Sequence, residues 1–154
     1  MTALTLGVDP GKKGALALVA PDGTLVDVID MPDATGAALG AHLAGFLEDH
    51  APHTVAVAWV EKVHAMPGQG VTSMFNFGAN YGAICGVLGA LGVRVELVTP
   101  NGWKKAAGLT ADKGLSRQRA CERWPTEARR FARKMDDGRA EAALLADHGR
   151  RCGT

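Results

Sequence analysis

No stretch of this 154-residue chain approaches the roughly 18 consecutive apolar residues that a membrane-spanning helix needs. The opening MTALTLGV has no basic segment ahead of a long apolar run and no cleavage site, so a soluble, cytoplasmic protein without a membrane partner is expected. Cysteine is scarce. Cys85, Cys121 and Cys152 are odd in number, far apart and free of C-x-x-C spacing, which excludes a disulfide framework and a cysteine-built zinc site; Cys85 reads as a buried thiol. There is no internal repeat and no low-complexity tract. At 47% hydrophobic and 21% charged residues the composition is globular rather than disordered. One domain spanning residues 1–154 is expected, large enough to bury a core without staples.

The net charge of +1 hides an asymmetry. Residues 1–99 carry four Lys and Arg against nine acids, and residues 100–154 carry thirteen against seven. A basic second half points to a face for a polyanion, or else to a solvated helical surface.

The chain is organised around ALTLGVDPGKKGALALV, residues 3–19, two apolar runs flanking Pro10-Gly11 and Gly14, the signature of a β-hairpin. Pro21-Asp22-Gly23 marks a second turn before the β-rich run Thr24 to Met31, giving three antiparallel strands. Leu39, Leu43, Phe46 and Leu47 recur at helical spacing between Thr35 and His50, and Pro52 ends that helix. Thr54 to Val60 is almost wholly apolar, as suits a buried strand reached by a helical crossover. His64 to Gly70 reads as a loop, Val71 to Leu91 as a long helix rich in small residues, and Val93 to Val98 as a fifth strand. Pro100 opens a short helix, Asp112 to Trp124 a longer one, and a loop with Arg129, Arg130, Arg133 and Lys134 leads to a last helix beginning near Asp136.

Acids fall at telling places in this order. Asp9 closes the first strand and Glu61 the buried one, so two neighbouring strands each deliver a carboxylate at a C-terminal lip, the edge where open sheets with helical crossovers build sites. Asp9 there can bind a hard cation or orient water; alternatively it caps the Pro10-Gly11 turn. Asp137 and Glu141 lie four apart and project from one helix face. Like charges so placed repel by a few tenths of a kcal/mol, a cost that a bound divalent cation offsets. Asp136 and Asp137 also suit a helix N-terminus electrostatically, which leaves Glu141 unexplained.

The GVDPG hairpin, a glutamate ending the next buried strand and a final helix of the type DGRAEAALLA together resemble the RuvC-type Holliday junction resolvases of the RNase H-like superfamily. VTPNGWKKAAGL, followed by Lys113 and Ser116-Arg117, is similar to the short RuvC-like proteins of bacteria and their viruses. The resemblance runs from Asp9 to Glu141. It implies an α/β, RNase H-like fold: a five-stranded mixed sheet, three antiparallel strands then parallel ones, flanked by helices. It also implies a homodimer that places two active sites on a four-way DNA junction in recombination and repair. Carried onto this chain, the catalytic acids are Asp9, Glu61, Asp137 and Glu141, with Asp136 as the alternate to Asp137. Many cellular members have two acids three apart on the last helix, whereas position 138 here is Gly.

Phosphodiester hydrolysis needs an activated water, a clamp on the scissile phosphate and charge stabilisation at the leaving oxygen. Clustered carboxylates select Mg²⁺ or Mn²⁺, and two ions per site serve both oxygens. Asp9 is expected to be shared between the ions, Glu61 and Glu141 to hold one each, and Asp137 to complete the set. Lys104, Lys113 and Arg117 lie where the resemblance places DNA contacts. In RuvC-type enzymes the region after the second acidic strand approaches the junction centre, so His64 or Phe75 is a candidate wedge between bases; alternatively Phe75 and Phe77, with Tyr81, pack in the core or a dimer interface. Trp59, Trp103 and Trp124 read as core or hinge packing. The expected function is metal-dependent resolution of four-way junctions. The alternatives are a less selective flap or fork endonuclease and a junction-binding module without turnover. Actin-like ATPases share such a hairpin but need a duplicated domain that 154 residues do not supply.

Overall fold

The computed structural model describes residues 2–51, 53–62 and 64–153; Pro52, read as the stop of the first helix, lies outside them. Strands β1 (Ala3–Asp9), β2 (Ala15–Val19) and β3 (Leu25–Asp30) pair antiparallel in succession. Helix α1 (Gly36–Glu48) then crosses to β4 (Thr54–Glu61), which runs parallel to β1, and α2 (Val71–Ala90) crosses to β5 (Arg94–Val98), parallel to β4. The sheet order is β3-β2-β1-β4-β5, the five-stranded mixed sheet expected from the resemblance. No helix of the described residues is long and apolar enough to cross a membrane.

Alternation along β1 divides the core. Leu4, Leu6 and Val8 face a cluster with Leu39, Leu43, Phe46, Ile84 and Leu88 from α1 and α2, as the period of two in a strand requires. On the other face lies α5 (Asp137–Cys152), with α3 (Pro100–Ala106) and α4 (Lys113–Arg123) beside it. The packing of α5 on the sheet is unusually close, and small residues make it so. A Cβ added to Gly7 of β1 would meet the Ala142 carbonyl at 2.0 Å and the Ala146 amide nitrogen at 2.7 Å; one added to Gly149 would meet the Trp59 ring at 2.2 Å. At the N-terminal end, a Cβ on Gly138 would lie 2.3 Å from the Lys13 carbonyl. Gly138, Ala142, Ala146 and Gly149 therefore form a seam of spacing four, four and three along one helix face.

Residues 125–136, expected as a loop, form two short 3-10 helices, Pro125–Phe131 and Lys134–Asp136. Burial and ion pairing hold them. Phe131 is fully buried, the Trp124 indole donates to the Gly23 carbonyl at 2.9 Å, and Arg130 binds both Asp27 and Glu127. Cys85 is half-buried rather than buried, and that burial pushes its thiol pKa up. Trp103 and Trp124 are core residues as expected.

Candidate active site

Parallel pairing of β1 and β4 aligns Val8 with Val60, so the next residues, Asp9 and Glu61, stand side by side at the C-terminal lip. The hairpin tip folds back onto Asp9: the Gly11 amide donates to its Oδ1 at 3.1 Å, and Gly14 sits so close to the Asp9 carbonyl that a Cβ there would overlap it. The turn-cap role weighed for Asp9 is thus present, but it uses one carboxylate oxygen on a group that burial, then the charges of Glu61 and Glu141, push up to about 6. A carboxylate pushed up chiefly by burial, with two neighbouring acids adding to the shift, is the electrostatic mark of a cation or proton site.

Every other acid of the set is met by a donor from the segment between β5 and α5. Thr99 caps α3 by accepting from the Gly102 amide at 3.2 Å, which turns the helix back over the lip. Trp103 Nε1 then donates to Glu61 Oε2 at 3.0 Å, and Lys104 Nζ to Glu141 Oε1 at 2.9 Å. From α4, Ser116 Oγ donates to the same Glu141 oxygen at 3.4 Å and Lys113 Nζ to Asp137 Oδ2 at 2.8 Å. Asp137 chiefly, with Glu141 and Asp9 beyond it, pushes the Lys113 pKa up. Glu141, 5% exposed, therefore has two polar partners. The repulsion expected between Asp137 and Glu141 is answered here by one lysine each.

Asp136 has a different place. It is 1% exposed and accepts from the Arg133 amide at 2.8 Å and the Arg133 guanidinium at 2.8 to 3.3 Å; burial alone would raise its carboxyl, but these bonds hold it below the usual carboxylate range. It caps the turn before α5. Asp137 is the acid that turns toward Lys113.

The DNA-contact candidates fare unequally. Lys104 and Lys113 join the acids, and Arg117 donates to the Ala132 carbonyl at 3.1 Å. His64 and Phe75 are exposed and are drawn to the acids by no hydrogen bond or ion pair among the described residues. At 75% exposure Phe75 is not core, which leaves the wedge and the dimer interface. Trp103 and Ser116 are the contacts that the sequence did not point to, since nothing local marks an indole or a hydroxyl as the partner of an acid many residues away.

The donor chemistry, four oxygen-bearing acids at one lip with one of them resisting ionisation, fits a hard divalent ion. No group of three His, Cys, Asp or Glu among the described residues is placed to hold one, and Glu61, Asp137 and Glu141 each face a Trp or Lys donor.

A mixed sheet of this order flanked by helices is an RNase H-like fold, and here it carries acids at the ends of its first and fourth strands and on its last helix. The chain has the fold of RuvC: it is similar to the Thermus thermophilus RuvC structure with TM-score 0.67 and 21% identity, over 98% of this chain and 97% of that one. Against T. thermophilus RuvC in complex with Holliday junction substrate the TM-score is 0.64 at 17% identity, over 94% and 91% of the two chains. No protein-family model matches the sequence, and no curated protein does.

Proposed function

We propose that this chain is a metal-dependent endonuclease that resolves four-way DNA junctions by paired, symmetric phosphodiester hydrolysis. The observation that carries it is a RuvC fold in which Glu61 and Glu141 lie near enough to Asp9 for their charges to raise its pKa, with Asp137 bound to Lys113, whose own pKa is raised by Asp137, Glu141 and Asp9. Asp9, Glu61, Asp137 and Glu141 are the residues that would hold Mg²⁺ or Mn²⁺, which supplies an activated water and charge stabilisation at the leaving oxygen. Lys104 and Lys113 put two ammonium groups among these acids, so a scissile phosphate seated at the lip meets positive charge as well as carboxylate. Trp103 orients Glu61 by its indole N–H. Paired cleavage requires two active sites, and a homodimer is supported by the N-terminal half of α2, where Val71 and Phe75 stand 87% and 75% exposed and Gly78 and Gly82 face open space.

The test is cleavage of a synthetic four-way junction beside a flap and a linear duplex of the same sequence, in Mg²⁺, Mn²⁺ or EDTA. Paired symmetric nicks confined to the junction and absent in EDTA are expected. Equal cutting of flap and junction identifies the less selective nuclease, and tight junction binding without cutting in either metal identifies a binding module.

Trp103→Phe keeps an aromatic ring in the core but removes the donor to Glu61. A hydrogen bond to a charged acceptor is worth about 1.5 kcal/mol, so the Mg²⁺ concentration for half-maximal cleavage is expected to rise about tenfold while junction affinity in EDTA is unchanged. A variant that lost stability alone, with the same metal dependence, would assign Trp103 to packing only.

A further inference from the structure

Much of the positive charge in the basic half of the sequence is paired with acids, although Lys105, Arg129 and Lys134 are exposed without an acid partner among the described residues. Asp147 alone engages Arg123, Arg150 and Arg151, Asp136 engages Arg133, and Asp30 engages Arg139. The cations left without an acid partner among the described residues include two from the acidic half, Lys12 and Lys13, both exposed at the tip of the β1–β2 hairpin.

We propose that the Lys12–Lys13 hairpin tip grips the DNA backbone next to the scissile phosphate; this rests on the resolvase reading above and adds a contact surface to it. The tip is built to hold a fixed position. The Gly14 amide donates to the Gly11 carbonyl at 2.8 Å and the Met31 amide to the Gly14 carbonyl at 2.9 Å, while Asp9 Oδ1 takes the Gly11 amide. The Lys13 carbonyl rests against Gly138, between Asp137 and Arg139 in the first turn of α5. Two ammonium groups are thus carried by backbone that touches both Asp9 and the turn bearing Asp137. A strand whose phosphate lies on the acids continues past that rim, because successive phosphates follow each other at about 3.4 Å of axial rise per strand. Carboxylates repel those flanking phosphates, and lysines with no acid of their own to satisfy attract them. Arg117, by contrast, is tied to a carbonyl.

The experiment is fluorescence anisotropy of a labelled four-way junction in EDTA across a KCl series, with the intact chain. Neutralising two phosphates contributes about 1.8 to the slope of log affinity against log salt, so Lys12→Ala/Lys13→Ala is expected to flatten the slope by about that amount, and Lys12→Arg/Lys13→Arg to preserve it. Arg94→Ala, at the start of β5 and hence at the opposite edge of the sheet, serves as the charge control and is expected to leave the slope unchanged. A slope equal to wild type in the double alanine variant overturns the hairpin contact while leaving the resolvase reading intact. An equal flattening per charge by Arg94→Ala also overturns it, by showing a general charge effect. Failure of the wild-type protein to bind the junction overturns both.

Discussion

Asp9→Asn is expected to abolish junction cleavage, by about a thousandfold or more, and at the same time to make the protein more stable at pH 8. The first half follows from the proposed role of Asp9, whose carboxyl feels the charges of both Glu61 and Glu141: losing several kcal/mol of charge stabilisation in the transition state is about a thousandfold in rate. The second follows from linkage. The folded carboxyl titrates near 6 rather than 3.8, so the folded state binds the proton more tightly than the unfolded chain does. That contribution is complete below about pH 3.8 and is lost as pH rises through about 6. Above that, ionised Asp9 costs up to about 3 kcal/mol, two units at 1.36 kcal/mol each. Asparagine carries no such charge and its Oδ1 still accepts from the Gly11 amide. With about 3 °C of Tm per kcal/mol for a chain of this size, the variant should melt up to about 9 °C above wild type at pH 8 in EDTA, with the gap closing toward pH 4. A lower Tm at pH 8 would return Asp9 to the plain turn-capping role.

Gain of stability with loss of activity separates a functional acid from a structural one, and Asp147 supplies the contrast. It is buried, but three arginines bind it, and their hydrogen bonds outweigh a burial that would raise its pKa, so the carboxyl is held low. Asp9 has no cation bonded to it among the described residues and is held high.

The positions of Asp9 and Glu61 were legible because both end apolar strands, a local pattern that survives folding. Asp137 and Glu141 were legible through their spacing. What answers these acids was not: Trp103 and Glu61 are 42 residues apart, Lys104 and Glu141 are 37, and Lys113 and Asp137 are 24, separations at which no periodicity exists. The partners of the basic residues were hidden for the same reason. Arg130 and Arg139 are engaged by acids from a distant strand, Asp27 and Asp30 on β3, pairings that a count of charges along the chain does not show. The turns at 125–136 escaped because they are built on contacts with Gly23 and Asp27, about a hundred residues earlier.

Moving the second helical acid to the position three before Glu141, by Asp137→Asn/Gly138→Asp, is expected not to restore cleavage lost in Asp137→Asn. It should also cost stability. The helix seam decides this. Gly138, Ala142, Ala146 and Gly149 are the face on which α5 meets the sheet and hairpin, and at Gly138 even a Cβ would lie 2.3 Å from the Lys13 carbonyl and 3.2 Å from the Gly14 carbonyl carbon. Backbone on both sides leaves nothing to rotate away, so a side chain there forces α5 off the hairpin, at about 3 kcal/mol or about 9 °C in Tm. Positions 137 and 141 flank the seam and are open to Lys113 and Lys104. Asp137→Asn alone should melt near wild type, because the pair it breaks involves a lysine side chain that is 70% exposed and exposed pairs contribute about 1 kcal/mol or less. Recovery of cleavage by the relocated acid, at an unchanged Tm, would show that the hairpin yields and that spacing of three and spacing of four are equivalent in this fold. Continued inactivity with a lowered Tm would show that glycine at 138, through the approach it allows between Lys13 and α5, fixes where this chain can place its fourth carboxylate.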